Sequence, residues 1–131
     1  MDALVDALVR FAQETLAKHG GFFPFAAAVT GTGAVEMVGG HTGEERPPSQ
    51  AVIDLLYQGL ADRARGGEIR ASGVCFDVRL SGRDNTDAIQ VSLEHARADP
   101  VNVFLPYKRQ RLGGVKYGEL FATSGERRIF S

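Results

Sequence analysis

The sequence predicts an α+β fold, an antiparallel sheet of about five to six strands carrying two helices. Three observations lead there. Two stretches repeat apolar residues at helical spacing and end at paired glycines. Later stretches alternate apolar and polar residues with period two. The turns between those stretches are short, which favours antiparallel pairing over crossover connections.

The first helix covers residues 2 to about 18. Asp2, Asp6, Arg10, Glu14 and Lys18 recur every fourth residue and form one charged stripe. Nearly everything else is apolar, from Leu4 and Val5 to Phe11 and Leu16. One core face does not require so wide an apolar circumference. Either two layers of the same chain cover this helix or a partner does. Leu4, Leu8 and Phe11 are the expected interface residues of a homodimer. Gly20-Gly21 ends the helix.

Residues 22–30 and 34–38 read as a hairpin around Gly31-Thr32-Gly33. Pro24 places the start of its first strand at an edge or bend. Pro47-Pro48-Ser49 opens a second helix, with Val52, Ile53, Leu56 and Leu60 on one face and Gly66-Gly67 as its stop. Four further strands follow. Ile69 to Leu80 alternates with Val74, Phe76, Val78 and Leu80 as its inward phase, and Ala88 to His95 with Ile89, Val91 and Leu93. Val101 to Leu105 is expected to stop at Pro106. Lys108 to Gly114 reads as a basic loop before a last strand within residues 115–122. The order is α-β-β-α-β-β-β with one further strand.

This order resembles the profilin-like and roadblock-like small folds, although the final helix of the roadblock pattern is absent. The residues Phe22-Phe23-Pro24-Phe25, Glu94-His95, Phe104-Leu105-Pro106-Tyr107 and Gly118-Glu119-Leu120-Phe121 resemble small bacterial proteins of no assigned function. That resemblance spans most of the chain. Its motifs concern packing and turns, and it implies no activity.

At 131 residues and 14.1 kDa, the chain is expected to form a single domain over residues 1–131. Fifteen Lys and Arg stand against 16 Asp and Glu, a net charge of -1. A domain that neutralises phosphates is normally basic on balance, so the composition argues against nucleic acid as the main partner. The lone cysteine, Cys75, excludes an internal disulfide. No apolar run is long enough to span a bilayer. The opening Met1-Asp2-Ala3-Leu4 lacks the basic start of a signal peptide, so a cytoplasmic protein without membrane attachment is expected.

Candidate chemistry is sparse. Cys75 needs a base to act as a nucleophile, and His95 stands on a neighbouring strand. Strand phase puts the two on opposite faces, which makes Cys75 a buried structural thiol. His41, Glu44 and Glu45 share a loop but lack the fixed spacing of a metal site, so no metal and no cofactor are expected. His19 suits the end of the first helix as a cation. Gly31-Thr32-Gly33 precedes a strand rather than a helix, which makes it a turn and not a phosphate loop. Lys108, Arg109 and Arg111 form a small basic cluster near Tyr107 and Tyr117. The tail Arg127-Arg128-Ile129-Phe130 has the mixed character to dock on the core or on a second copy.

Asp77, Arg79, Gln90, Ser92 and Glu94 are expected to line one sheet face. If that face is open, Asp77, Arg79, Gln90 and Glu94 form a polar ligand site. The leading functional expectation is a non-catalytic protein-interaction or regulatory module acting as a homodimer. The alternatives are a small-ligand binder or enzyme on the polar sheet face, and an immunity-type protein that neutralises a toxin.

Overall fold

The computed structural model describes residues 2–39, 43, 47–80, 86–110 and 113–130. The elements run α1 (Asp2–His19), β1 (Phe25–Thr30), β2 (Val35–Gly39), α2 (Ser49–Arg65), β3 (Ile69–Arg79), β4 (Asp87–His95), β5 (Ala98–Arg109), β6 (Val115–Tyr117) and β7 (Phe121–Ser124). All seven strands belong to one antiparallel sheet in the order β2-β1-β3-β4-β5, with β6 and β7 sharing the outer edge of β5.

Two strand expectations are corrected. Pro106 does not stop β5, which runs through both Pro100 and Pro106. The last expected strand divides into two. Tyr117 pairs with Tyr107 and Phe121 with Phe104, so three residues oppose two between them. That extra residue is a bulge, placed where Pro106 has no N–H to give a ladder. The Pro106 carbonyl instead accepts the Gly118 amide at 2.8 Å.

The sheet carries one helix on each face. On the α1 side, Leu4, Leu8, Ala12 and Leu16 recur every fourth residue, and all are buried. They pack on Phe25, Ala27, Ala71, Cys75, Val91 and Leu93. Gly73 makes the close approach possible. A Cβ added there would stand 2.5 Å from Leu8 Cδ1 and 3.1 Å from Leu93 Cδ2. Leu4 and Leu8 are each 0% exposed, so they are core residues of this chain and not interface residues. The reason is geometric: a stripe with a four-residue repeat fills one sheet face, and a single layer suffices. Phe11 remains 46% exposed, with its ring 4.7 Å from that of Phe25.

On the other side, Val52, Ile53, Leu56, Tyr57 and Leu60 of α2 pack on Ala26, Ala28, Ile69 and Val74. Ile129, which follows β7, is buried in the same cluster. The tail thus docks on the core of its own chain. The α2 side is covered over β1 and β3, and its covering thins toward β5. Among the described residues, no helix is long and apolar enough to cross a membrane.

Candidate functional site

The four residues expected to form one polar site are divided between the two faces. Asp77 pairs with Ile89 and Arg79 with Asp87, while Gln90 pairs with Phe76 and Glu94 with Ser72. Residues directly opposite share a face, and successive residues alternate. Asp77 and Arg79 therefore belong to the α1 side, and Gln90, Ser92 and Glu94 to the α2 side. Each strand alternates as expected, but in β3 both phases are buried around Val74 and Cys75, so it has no polar outer face there. The register between strands is not the expected one, and a one-residue offset moves every side chain across the sheet.

On the α1 side, Tyr107 Oη donates to Asp77 Oδ1 at 2.7 Å. Burial pushes the Asp77 carboxyl above its ordinary range, and the bond from Tyr107 partly offsets it. Burial likewise pushes the Tyr107 hydroxyl up, reinforced by the Asp77 carboxylate. Arg79 and Asp87 stand 3.5 Å apart as an exposed pair. Asp77 and Arg79 thus spend their polar groups within the chain.

Cys75 also belongs to the α1 side, opposite Val91, and His95 stands opposite Ala71. The expectation of opposite faces is corrected: they share one, but four residues separate them along the ladder, roughly 13 Å. Cys75 is fully buried, and burial followed by the Asp77 charge pushes its thiol far up. A thiol held protonated, without a base in reach, is a packing group. Among the described residues, no group of three or more His, Cys, Asp or Glu gathers as a metal site. The expected loop of His41, Glu44 and Glu45 lies outside the described residues, as does Arg111 of the basic cluster. Lys108 stands directly opposite Lys116 in the ladder, and Arg109, its chain neighbour, points to the other face.

The α2 side holds a more convergent arrangement. Where α2 stops covering the sheet, a groove of about 270 Å³ opens. One wall is Gln50, Ile53 and Tyr57 of α2. The floor is Phe76, Gln90, Ser92 and Asn102 from three adjacent strands. The far wall is Ser124, Glu126 and Arg128. Gln90 Nε2 donates to Ser92 Oγ at 3.1 Å. Burial raises the Tyr57 hydroxyl, with a hydrogen bond to Ser92 and the Arg128 charge pulling it back. Tyr57 therefore presents a protonated phenol in neutral solution. Beyond the floor, Phe104 stacks on Phe121 with ring centres 5.0 Å apart, and Phe121 and Leu120 are exposed.

Glu94 lies beneath the far wall and shapes it. It is 2% exposed, and its Oε1 accepts the amides of Arg128 at 2.8 Å and Ile129 at 3.1 Å. Its Oε2 and the hydroxyl of the facing Ser72 are buried without a hydrogen-bond partner. Arg127 donates to the carbonyls of His95 and Ala98, and Arg128 lies 3.8 Å above the Tyr57 ring and 3.5 Å from Asp54. Glu94 is thus a positioning residue of the groove wall and not a lining one.

Gln50, Asn102, Ser124 and Glu126 were missed in the sequence. They come from three separate stretches of the chain, and none sits in a motif. One signal was available: a buried glutamate in an apolar strand needs donors, and the short tail after β7 had amides to give. Compared with known protein families, characterised proteins and solved structures, the chain matches none.

Proposed function

We propose that the chain is a non-catalytic protein-interaction module and that it binds through the groove beside α2. The observation that carries this reading is the convergence of hydrogen-bonding side chains on one concavity, most of them neutral, with Glu126 and Arg128 as its two charged members. Gln50, Tyr57, Gln90, Ser92, Asn102 and Ser124 meet there, near the exposed Phe121 that stacks on Phe104. Amides and hydroxyls complement a partner's backbone and polar side chains at a lower desolvation cost than charged groups do. An exposed aromatic side chain next to such a floor supplies the apolar anchor that protein interfaces use. Size favours the same occupant. Enclosed small-molecule pockets run from roughly 300 to 1,000 Å³, and this groove is smaller and open. It suits one or two side chains of a partner segment. A homodimer remains part of the proposal, now through this surface and not through Leu4 and Leu8.

The test pairs selection with solution mass. Peptides enriched on the full chain from a displayed random library should bind the variants Asn102→Ala and Phe121→Asp about tenfold more weakly or worse. Equal binding to wild type and both variants would remove the groove from consideration. Light scattering across a concentration series then identifies the partner. A doubled mass that returns to the monomer value in Phe121→Asp places a second copy on this surface. A monomer throughout assigns the groove to a different chain.

A further inference from the structure

We infer that a second, separate site binds an oxyanion at the end of the sheet, between the start of β3 and the β4–β5 turn. A cavity of about 440 Å³ lies there, lined by Val29, Arg70, Ala71, His95, Ala96 and Arg97. Its lining residues include two arginines and one histidine and no acid, and the Arg70 guanidinium reaches toward Gly33 in the β1–β2 turn.

The arginines are free to serve it. Arg63, Arg65, Arg79 and Arg128 each hold a carboxylate. Among the described residues, Arg70 and Arg97 have no such partner within 4 Å. The nearest acids in sequence are Glu68, which stands 3.6 Å from Arg63, and Asp99. Neither reaches Arg70 or Arg97. Two arginines without an acidic partner at one cavity leave uncompensated positive charge there, which a bound anion neutralises.

The imidazole adds a donor. The Arg97 amide donates to His95 Nδ1 at 2.9 Å. Nδ1 is thereby an acceptor, so the proton of the neutral ring resides on Nε2. All three side chains then offer N–H groups only.

The framework is fixed before any ligand arrives. The Ala96 amide donates to the Arg70 carbonyl at 3.1 Å, tying the turn to β3. Arg127 clamps the turn from the other side through the carbonyls of His95 at 3.2 Å and Ala98 at 2.6 Å. The turn that carries His95 and Arg97 is thus held at both shoulders, which lowers the ordering cost of binding. Phosphate and carboxylate groups share the chemistry this site recognises: planar guanidinium forks meeting paired oxygens.

The test is a titration of the uniformly ¹⁵N-labelled full chain with inorganic phosphate, and separately with acetate, at constant ionic strength set by chloride. Saturable shifts are expected at the amides of Arg70, His95, Ala96 and Arg97, with those of Gln90 and Asn102 unmoved. The anion that saturates at lower concentration names the group the site prefers. Arg97→Gln and Arg70→Gln should each weaken binding about tenfold or more, with the remaining spectrum unchanged. His95→Gln, which retains an N–H donor, should weaken it less. Shifts that stay linear for both anions would overturn the site. So would saturation that neither arginine variant alters.

Discussion

The two faces of the sheet solve the same packing problem with different means. Under α1 the contact is apolar throughout, four residues of one helical stripe lying on alternate residues of four strands. Under α2 the apolar contact stops partway, and the remainder is polar. Ser72, Glu94 and the 125–130 segment complete it. The α1 side holds the fold together by area. The α2 side spends part of its area on hydrogen bonds of fixed direction, and that is where the groove opens. A sheet buried on both sides can be asymmetric in how it is held, one face by apolar area and the other partly by directed hydrogen bonds.

The sharpest way to break this contrast is at Leu8. Leu8→Ala should cost about 2–5 kcal/mol in denaturant unfolding, with the native solution mass unchanged. A loss of mass without loss of stability would restore a helix-mediated dimer. Next in size is Gly73→Ala, whose new methyl meets Leu8, at about 1–3 kcal/mol. The double variant should lose less than the sum of the two, because shortening Leu8 vacates the space the methyl needs. Strict additivity would mean that the notch and the leucine are not coupled.

On the α2 side, Glu94→Ala should cost about 1–3 kcal/mol, from the buried Ile129 amide and the part-buried Arg128 amide left without an acceptor. Hydrogen exchange should accelerate at Arg128 and Ile129 and not under α1. Uniform acceleration over both faces would show that the segment is not a separate unit of the fold.

The smallest effect concerns pH. The Asp77 carboxyl is raised in the folded chain above its ordinary 3.8. The folded chain therefore holds that proton more tightly than the unfolded one. Its contribution to stability is full below the unfolded value and is lost as pH rises through the folded value. Wild type minus Asp77→Asn stability should decline as pH is raised across that window. A difference that stays level would remove Asp77 from the pH dependence.

The helices were legible because each carries its own period and stop. Leu4 to Leu16 and Gly20-Gly21 define α1 without reference to anything distant. The hairpin was legible for the same reason. Which face each strand residue occupies was not. In β3 both phases are buried, Val74 under α2 and Cys75 under α1, so neither is marked by polarity as the outer one. Register against β4 then decides whether Asp77 joins Ile89 or Gln90. That choice rests on pairing energies summed over two strands and on the turn joining them, not on any single residue. The groove was hidden at a further remove, because Asn102, Gln50 and Glu126 meet only once the sheet and the tail are both in place.

The pinning of residues 128 and 129 by Glu94 sets an order of events during synthesis. Glu94 leaves the ribosome more than thirty residues ahead of the amides that satisfy it. By then α1 and β1 through β4 are complete, and the β5 residues of the α1 layer, Val103, Leu105 and Tyr107, follow within the same interval. The α2 layer has its helix but lacks the donors for its buried carboxylate. The buried carboxylate of the α2 layer is therefore satisfied only once residues 128 and 129 have been added.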